Sequence, residues 1–318
     1  MKRELKMFEE NTQNIQDNID YITKSHLRNV MQLAIFYTGS GSVYAVNISK
    51  IQSFLIKDNI DIVKTPSADS IVVGVINLRG EMISVVNLDM WIGEEISSDP
   101  YKIIIVCNYN NKKVGILVKD IIKIEEKNSS DLKLPSGNDP KISYLTETQI
   151  DKEERLCIIF DAEKLLYDIG NSSSTSSGTT IYDIDSFGNI ETIKSKKLLL
   201  VAEDSRIVME KLDEFFKKIE IRYELYENGE LLLNRIQTLN PQEIGLVVTD
   251  IEMPIKNGYQ VIKYLKETPS LSEIPVISLT SMTNQGVLDK VVQLGAIDLV
   301  NKADLTKLHT YIKKYLEE

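Results

Sequence analysis

The sequence has few of the residues that build disulfide frameworks, zinc sites or membrane spans. It contains two cysteines and two histidines in 318 residues, and neither histidine belongs to a cluster. Cys107 and Cys157 lie within apolar, strand-like runs (IIIVC and LCIIF), so we expect buried hydrophobic side chains rather than a disulfide or a metal pair. No apolar run approaches the length of a membrane span, and the charged N-terminus lacks the apolar core of a signal peptide. These absences predict a cytoplasmic protein without direct membrane insertion.

Positive charge is also scarce relative to negative charge. The formal net charge is −10, and neither half of the chain is basic. A nucleic-acid backbone would be repelled by such a chain in the absence of a basic stripe, which argues against nucleic-acid binding. The composition is that of a globular protein, with 42% apolar and 26% charged residues. A chain of this length is long enough for two ordinary domains.

Polar residues follow four short apolar runs in the C-terminal third of the chain. KLLLVA precedes Glu203 and Asp204, GLVVT precedes Asp250, PVISL precedes Thr280, and AIDLVN precedes Lys302. IRYELY supplies a fifth strand, and segments with helical spacing alternate with the strands. This alternation predicts a doubly wound, five-stranded parallel sheet of the flavodoxin-like α/β class. Because ligands bind at the carboxyl ends of such strands, these polar side chains should meet at one edge.

The carboxylates of this set suit a divalent metal ion. Mg²⁺ is a hard cation that prefers oxygen ligands and keeps several waters, so one or two carboxylates are enough to hold it. Asp204 and Asp250 would supply those ligands, together with a backbone carbonyl at Glu252 and with Glu203 acting through water. The sequence therefore predicts a Mg²⁺ site.

The remaining groups suit phosphoryl chemistry beside that metal. One carboxylate can act as a nucleophile toward phosphorus and form an aspartyl-phosphate. The ammonium group of Lys302 would neutralise the transferring oxygens, and the Thr280 hydroxyl would bond the product phosphoryl group. Strand-end acids often cap helices, and a single Lys or Thr is usually a solvated surface group. The ordered set is much more specific than any one of its members.

The N-terminal half changes from helical to strand-like periodicity. Eight or so short, β-branched runs are separated by Gly, Asn, Asp or Pro, which predicts an all-β domain of small barrels. We find no Ser-His-Asp arrangement, metal-ligand spacing or phosphate loop in this half of the sequence, which favours a binding module. The predicted organisation is a helical arm at 1–25, a β domain at 26–169, a flexible Ser-rich linker at 170–195 and an α/β domain at 196–318.

From about Lys196 to its end the chain resembles the receiver (CheY-like) domain of response regulators. The string D-I-E-M-P-I-K-N-G begins at Asp250, where the family has its phosphoacceptor followed by M-P-x-x-x-G. The resemblance implies phosphorylation of Asp250 and matches Glu203-Asp204, Thr280 and Lys302 to the family's acidic pair, hydroxyl and lysine. Two residues depart from the family pattern. Ala303 stands where proline usually follows the lysine, and Leu299 stands where an aromatic switch residue is usual.

The string GVINLRG, from Gly74 to Gly80, carries a second resemblance, which covers about Arg28 to Tyr167. This region is similar to the CheW family of chemotaxis coupling proteins, in which the arginine of the string contributes to chemoreceptor binding. The resemblance implies a partner contact for Arg79, whose planar donor fork lies at an exposed loop. From the residues alone, a surface salt bridge would be the alternative for that side chain.

A CheW-like module joined by a tether to a receiver resembles the CheV family of chemotaxis coupling proteins. The implied function is a scaffold between chemoreceptors and the histidine kinase CheA, regulated by phosphorylation at Asp250, and not a turnover enzyme. An alternative in the same class is a receiver that acts as a phosphate sink for the kinase. In a different class, Asp250 could be the nucleophile of a haloacid-dehalogenase-like phosphatase, but that family has Asp-x-Asp after its first strand and the third position here is Glu252.

Overall fold

A computed structural model describes residues 30–64, 71–94, 100–109, 112–137, 139–172, 191–281 and 285–317. The predicted N-terminal arm, 1–25, and most of the predicted linker lie outside these residues. The described chain forms two compact units, one up to residue 172 and one from residue 191. None of the helices in these ranges is long and apolar enough to cross a membrane.

The first unit consists of ten strands and two helices. Its strands form two five-stranded sheets with the orders β8-β1-β2-β10-β9 and β3-β6-β7-β5-β4. The elements are β1 (Val30–Tyr37), β2 (Val43–Asn47), β3 (Ile51–Ile56), β4 (Val72–Leu78), β5 (Glu81–Asn87), α1 (Leu88–Ile92), β6 (Ile103–Tyr109), β7 (Lys112–Val118), β8 (Asp120–Asn128), β9 (Ile142–Ile150), β10 (Glu153–Phe160) and α2 (Ala162–Ser172).

Each sheet of this unit encloses its own apolar core. Leu33, Ile35 and Cys157 lie in the core of the first sheet, and Ile83 and Val85 lie in that of the second. The two edge strands of the first sheet, β8 and β9, lie close to each other. The ammonium groups of Lys123 and Lys127 in β8 donate to backbone carbonyls of β9 at 2.8 and 2.6 Å. The first sheet therefore curls back on itself, in agreement with the predicted β class. The prediction omitted α2, a short amphipathic helix directly before the Ser-rich stretch.

The short helix α1 connects the two sheets of the first unit. The buried Asp89 carboxylate accepts hydrogen bonds from the backbone N–H groups of Gly39 and Ser40 at 2.8 and 3.0 Å. One turn later, Trp91 is 2% exposed and donates from Nε1 to Asp168 of α2 at 2.9 Å. Trp91 is thus a packing residue of the first unit.

The second unit is the predicted doubly wound sheet. All of its strand pairs are parallel, and the strand order is β12-β11-β13-β14-β15. The elements are β11 (Leu198–Ala202), α3 (Arg206–Lys218), β12 (Arg222–Tyr226), α4 (Gly229–Ile236), β13 (Ile244–Asp250), α5 (Gly258–Glu267), β14 (Val276–Thr280), α6 (Gln285–Gln293), β15 (Asp298–Asn301) and α7 (Leu305–Leu316).

The strands of the second unit are nearly continuous apolar runs because helices cover both faces of the sheet. All seven residues of β13 and all five of β11 are buried. The chain before β11 also packs on this unit: Ile193 is 2% exposed, and its N–H donates to the Ile219 carbonyl at 3.0 Å. These contacts start within the range predicted as linker, so part of that range belongs structurally to the second unit.

Candidate functional site

The polar strand-end residues of the second unit meet at one edge of the sheet. β11 and β13 are neighbours, with Ala202 opposite Thr249, so the residues that follow, Glu203 and Asp250, lie side by side. Lys302, directly after β15, extends its ammonium group between them. Its Nζ lies 2.8 Å from Glu203 Oε1 and 3.0 Å from Asp250 Oδ2. The structure therefore brings together residues that are about a hundred positions apart in the sequence.

Three carboxylates converge at this edge. Oxygen atoms of Glu203, Asp204 and Asp250 lie within 4.8 Å of one another. Glu203 is fully buried, Asp250 is 2% exposed, and the Ser205 N–H donates to Glu203 Oε1 at 3.1 Å. Glu203 and Asp250 share the Lys302 ammonium, and the Asp204 carboxylate lies beside them, so a further cation would offset the buried negative charge. An all-oxygen donor set of this kind fits a hard divalent cation such as Mg²⁺.

The loop between β13 and α5 is held in a restricted conformation next to Asp250. Ile255 and Lys256 have φ angles of 52° and 71°, in the left-handed region that costs L-residues about 1–2 kcal/mol. A Cβ on Gly258 would lie 2.3 Å from the Asp250 carbonyl oxygen. Only glycine fits at this position, so the M-P-x-x-x-G spacing has a steric cause.

A helix cap and a backbone hydrogen bond hold that loop in place. Asn257 begins α5 with a reciprocal capping box, in which its side chain accepts from the Gln260 N–H at 3.1 Å and Gln260 accepts from the Asn257 N–H at 3.0 Å. The second contact was not predicted from the sequence: the Gly229 N–H donates to the Lys256 carbonyl at 3.2 Å. A Cβ on Gly229 would lie 2.4 Å from that oxygen. The Asn228-Gly229 dipeptide is a turn signal that could have indicated this contact.

Thr280 ends β14 at the same edge and is 2% exposed, and the next residue, Ser281, is fully buried. The Thr280 carbonyl accepts from the Lys302 N–H at 2.9 Å. This bond continues the pairing of Thr280 with Asn301 between β14 and β15. The Thr280 hydroxyl and the Lys302 ammonium group are thus supplied from the ends of two adjacent strands, β14 and β15.

The two departures from the receiver pattern have clear structural outcomes. Leu299, in the position of the aromatic switch, is 5% exposed and packs in the apolar core of the unit. The loop that contains Ala303 in place of proline still delivers the Lys302 ammonium to both carboxylates.

Arg79 belongs to the first unit and lies in the tight turn between β4 and β5. Its side chain is exposed, and its φ angle is 55°, followed by 90° at Gly80. The Gly80 N–H donates to the Asn77 side chain at 2.9 Å, which closes the turn. A two-residue hairpin turn of this kind requires positive φ at both central residues, which accounts for the backbone conformation of Arg79.

Comparisons with known proteins agree with the division into two units. The CheW-like domain family matches residues 32–170, and the response regulator receiver domain family matches residues 199–313. Receiver domains generally bind Mg²⁺ at an acidic site, and the acidic cluster of Glu203, Asp204 and Asp250 is present here.

Relatives of known function match nearly the whole chain or its first unit. The chemotaxis protein CheV2 of Helicobacter pylori is 28% identical, over 94% of this chain and 99% of that protein. CheV1 of the same organism is 26% identical, over 94% and 97%. The chemotaxis protein CheW of Thermotoga maritima is 30% identical over 39% of this chain and 81% of that protein. The chain therefore belongs to the CheV type of chemotaxis coupling proteins, scaffolds in which a CheW-like domain is joined to a response regulator receiver domain.

Proposed function

We propose that Asp250 is the phosphoacceptor of this protein and that its phosphorylation regulates coupling between chemoreceptors and the histidine kinase CheA. The observation that carries the proposal is the position of the Lys302 ammonium group, 2.8 Å from Glu203 and 3.0 Å from Asp250. The Lys302 ammonium is held beside the Asp250 carboxylate, so it would be a donor to the oxygens of a phosphoryl group on Asp250. A divalent cation at the carboxylates would balance the remaining negative charge.

The residues of the site would divide the work of phosphoryl transfer. An Asp250 carboxylate oxygen attacks phosphorus on a kinase phosphohistidine, forming a P–O bond as the P–N bond breaks, and the imidazole nitrogen takes the electron pair and then a proton. Lys302 offsets charge on the transferring oxygens, and the Thr280 hydroxyl donates to the bound phosphoryl group. Glu203, Asp204 and Asp250, with the backbone carbonyl of Glu252, would hold Mg²⁺, which supplies additional positive charge at those oxygens when bound.

The first unit would supply the partner contacts. Arg79 is exposed in a tight turn, and a guanidinium group there can make paired hydrogen bonds to a receptor carboxylate or carbonyl. The chemoreceptors and CheA act at the cytoplasmic side of the membrane, so the protein would work in the cytoplasm. Phosphorylation of the second unit would shift its population between two arrangements and change the coupling.

A phosphotransfer assay tests the assignment of Asp250. The native chain, incubated with Mg²⁺ and a small phosphodonor or purified phosphorylated kinase, should acquire one acid-labile phosphoryl group, whereas Asp250→Asn should acquire none. Asp289→Asn is a matched control, because this exposed carboxylate lies on α6 and accepts a hydrogen bond from the Gln285 side chain at 2.7 Å. It should be labelled as well as the native chain. A native chain without label would refute the proposal, as would equal labelling of Asp250→Asn.

The same variants separate a regulated coupler from a phosphate sink and from a phosphatase. In reconstituted receptor–kinase arrays, Asp250→Asn should abolish the change in kinase coupling that phosphorylation produces. If phosphorylation of the native chain leaves the coupling unaltered and only removes phosphoryl groups from the kinase, the phosphate-sink alternative would be favoured. We expect no sustained release of phosphate from generic phosphate esters, because we place Asp250 as an acceptor and Glu252 occupies the third position of the Asp-x-Asp motif. Multiple turnovers would support the phosphatase alternative.

A further inference from the structure

The loop that carries Lys302 must be held in place for its ammonium group to stay between the two carboxylates. A lysine side chain loses about 1.5–2 kcal/mol of rotamer entropy when it is fixed. Proline after the lysine would restrict the backbone, but this chain has Ala303 there. Another interaction must therefore hold the backbone from which Lys302 extends.

Asn301 makes that interaction with both its side chain and its backbone. Its Oδ1 accepts a hydrogen bond from the Ala303 N–H at 2.9 Å, and its carbonyl oxygen accepts from the Asp304 N–H at 2.8 Å. The first bond is an Asx turn, in which an Asn side chain accepts from the backbone two residues later. Both bonds span Lys302, so Lys302 is the central residue of a closed turn.

The two ends of this turn are attached to regular structure. On one side, the Lys302 N–H donates to the Thr280 carbonyl at 2.9 Å, which extends the β14–β15 pairing by one residue. On the other side, Asp304 caps α7 by accepting from the Lys307 N–H at 2.9 Å. The Asx turn is the one segment between these two anchors, and it directs the side chain of Lys302 toward Glu203 and Asp250.

We propose that Asn301 is the positioning residue for Lys302, and that its Asx turn does in this chain what a proline at 303 would otherwise do. Asn301 acts through Lys302 and contacts neither the phosphoryl group nor the metal. The proposal rests on the proposed phosphorylation of Asp250 for its effect on rate, but not for its effect on the order of the ammonium group.

The proposal predicts a specific separation of effects. Without the Asn301 side chain the exposed Ala303 N–H can bond to water, so the fold should tolerate its loss. The Lys302 ammonium, however, would sample several positions, and phosphoryl transfer should slow because a misplacement of about 1 Å can cost up to about a hundredfold in rate. The three carboxylates that would hold Mg²⁺ come from other strands, so the affinity for Mg²⁺ should not fall.

Three full-length variants test this separation. Asn301→Ala should lower the rate constant for phosphorylation by a small phosphodonor about tenfold, with Mg²⁺ affinity and melting temperature near those of the native chain. Asn301→Asp keeps the acceptor and should recover most of the rate. Asn240→Ala is the matched control, because the Asn240 side chain makes the same two-residue contact to the Gln242 N–H, at 3.1 Å, in the loop before β13. It should not change the rate.

A second measurement decides the proposal without phosphorylation. In the full chain with ¹⁵N-labelled lysine, the ammonium NMR signal of Lys302, assigned by its loss in Lys302→Met, should be protected from rapid exchange in the native chain and in Asn301→Asp. It should be lost or broadened in Asn301→Ala. A protected signal in Asn301→Ala would overturn the proposal, as would a native phosphorylation rate in that variant. A native chain that is not phosphorylated would refute the proposed function, and the NMR result would still decide the role of Asn301.

Discussion

At the scale of single residues, Lys302 is the group on which the candidate site depends electrostatically. It is 3% exposed and lies between Glu203 and Asp250, which are 0% and 2% exposed. Removing one partner from a buried ion pair typically costs 3–5 kcal/mol, because the remaining charge stays uncompensated. Here the loss of the ammonium would leave two buried carboxylates next to each other, and the site would depend on an added cation.

The first prediction concerns the linkage between this lysine and Mg²⁺. Lys302→Met should lower the free energy of unfolding of the receiver by about 3 kcal/mol in a chelator, and millimolar Mg²⁺ should restore more stability to the variant than to the native chain. Urea unfolding with and without Mg²⁺ measures both effects. The control is Lys307→Met, which removes a half-exposed pair with Asp298 and should cost under about 1 kcal/mol. Equal Mg²⁺ dependence of the native chain and Lys302→Met would contradict the prediction.

The second prediction concerns the two buried thiols of the first unit. Burial raises the pKa of Cys107 and of Cys157 from an ordinary value of 9.0 to about 12. Above pH 9 the unfolded chain loses these protons while the folded chain keeps them, so the free energy of unfolding should fall with rising pH. The slope should be at most about 1.4 kcal/mol per pH unit for each thiol.

The thiols dominate this slope between pH 9 and 10, because the buried Tyr44, whose pKa rises from an ordinary value of 10.0 to about 12, adds most of its own slope above pH 10. Urea unfolding of Cys107→Ala and Cys157→Ala should show a shallower slope in that window than the native chain. An unchanged slope would mean that neither thiol is protected from ionisation by the fold.

At the scale of elements, the β13–α5 loop shows how sequence and packing share the control of a site. The Asn257-Gly258 dipeptide is a turn signal, and in the structure Asn257 caps α5. The reason that position 258 must be glycine lies in the Asp250 carbonyl, 2.3 Å from where a Cβ would be. A contact across the loop is needed to see this requirement, and a pattern of residue types does not contain it.

The third prediction compares two glycines. Gly258→Ala should lower the free energy of unfolding of the receiver by about 2–4 kcal/mol, because backbone atoms must move apart, and it should displace Asp250 and slow phosphorylation. Gly170→Ala in α2 is the control, since a Cβ there would meet no atom within 4 Å. That variant should be neutral or gain up to about 1 kcal/mol from helix propensity. Denaturant unfolding checks both, with the two units followed as separate transitions. A neutral Gly258→Ala would contradict the steric argument.

At the scale of the whole molecule, the two units divide the function between them. The fourth prediction is a double dissociation. Arg79→Gly should weaken receptor-dependent coupling and leave the labelling of Asp250 unchanged, whereas Asp250→Asn should abolish labelling and leave receptor binding intact. Glycine tolerates the φ of 55° at this turn, so Arg79→Gly should also keep or raise stability by up to about 1 kcal/mol. Pull-down with receptor fragments and thermal unfolding measure these effects. Loss of coupling through misfolding would appear as a lower melting temperature.

The sequence by itself determined the class of each unit and the identity of the residues at the site. Strand periods, helical spacing and the ends of apolar runs are local properties, and they were enough to predict the parallel sheet and the meeting of Glu203, Asp250 and Lys302 at its edge. Only the tertiary structure decided how the ammonium group is placed. The contact of Gly229 with the Lys256 carbonyl and the packing of Ile193 on the receiver depend on distances between segments that are remote in the chain. The Asx turn at Asn301 is local, but it directs Lys302 to the site only because the Lys302 N–H is bonded to the Thr280 carbonyl of another strand. Such distances follow from the packing of the whole unit, because a local pattern specifies which element forms but not which backbone atom it will touch.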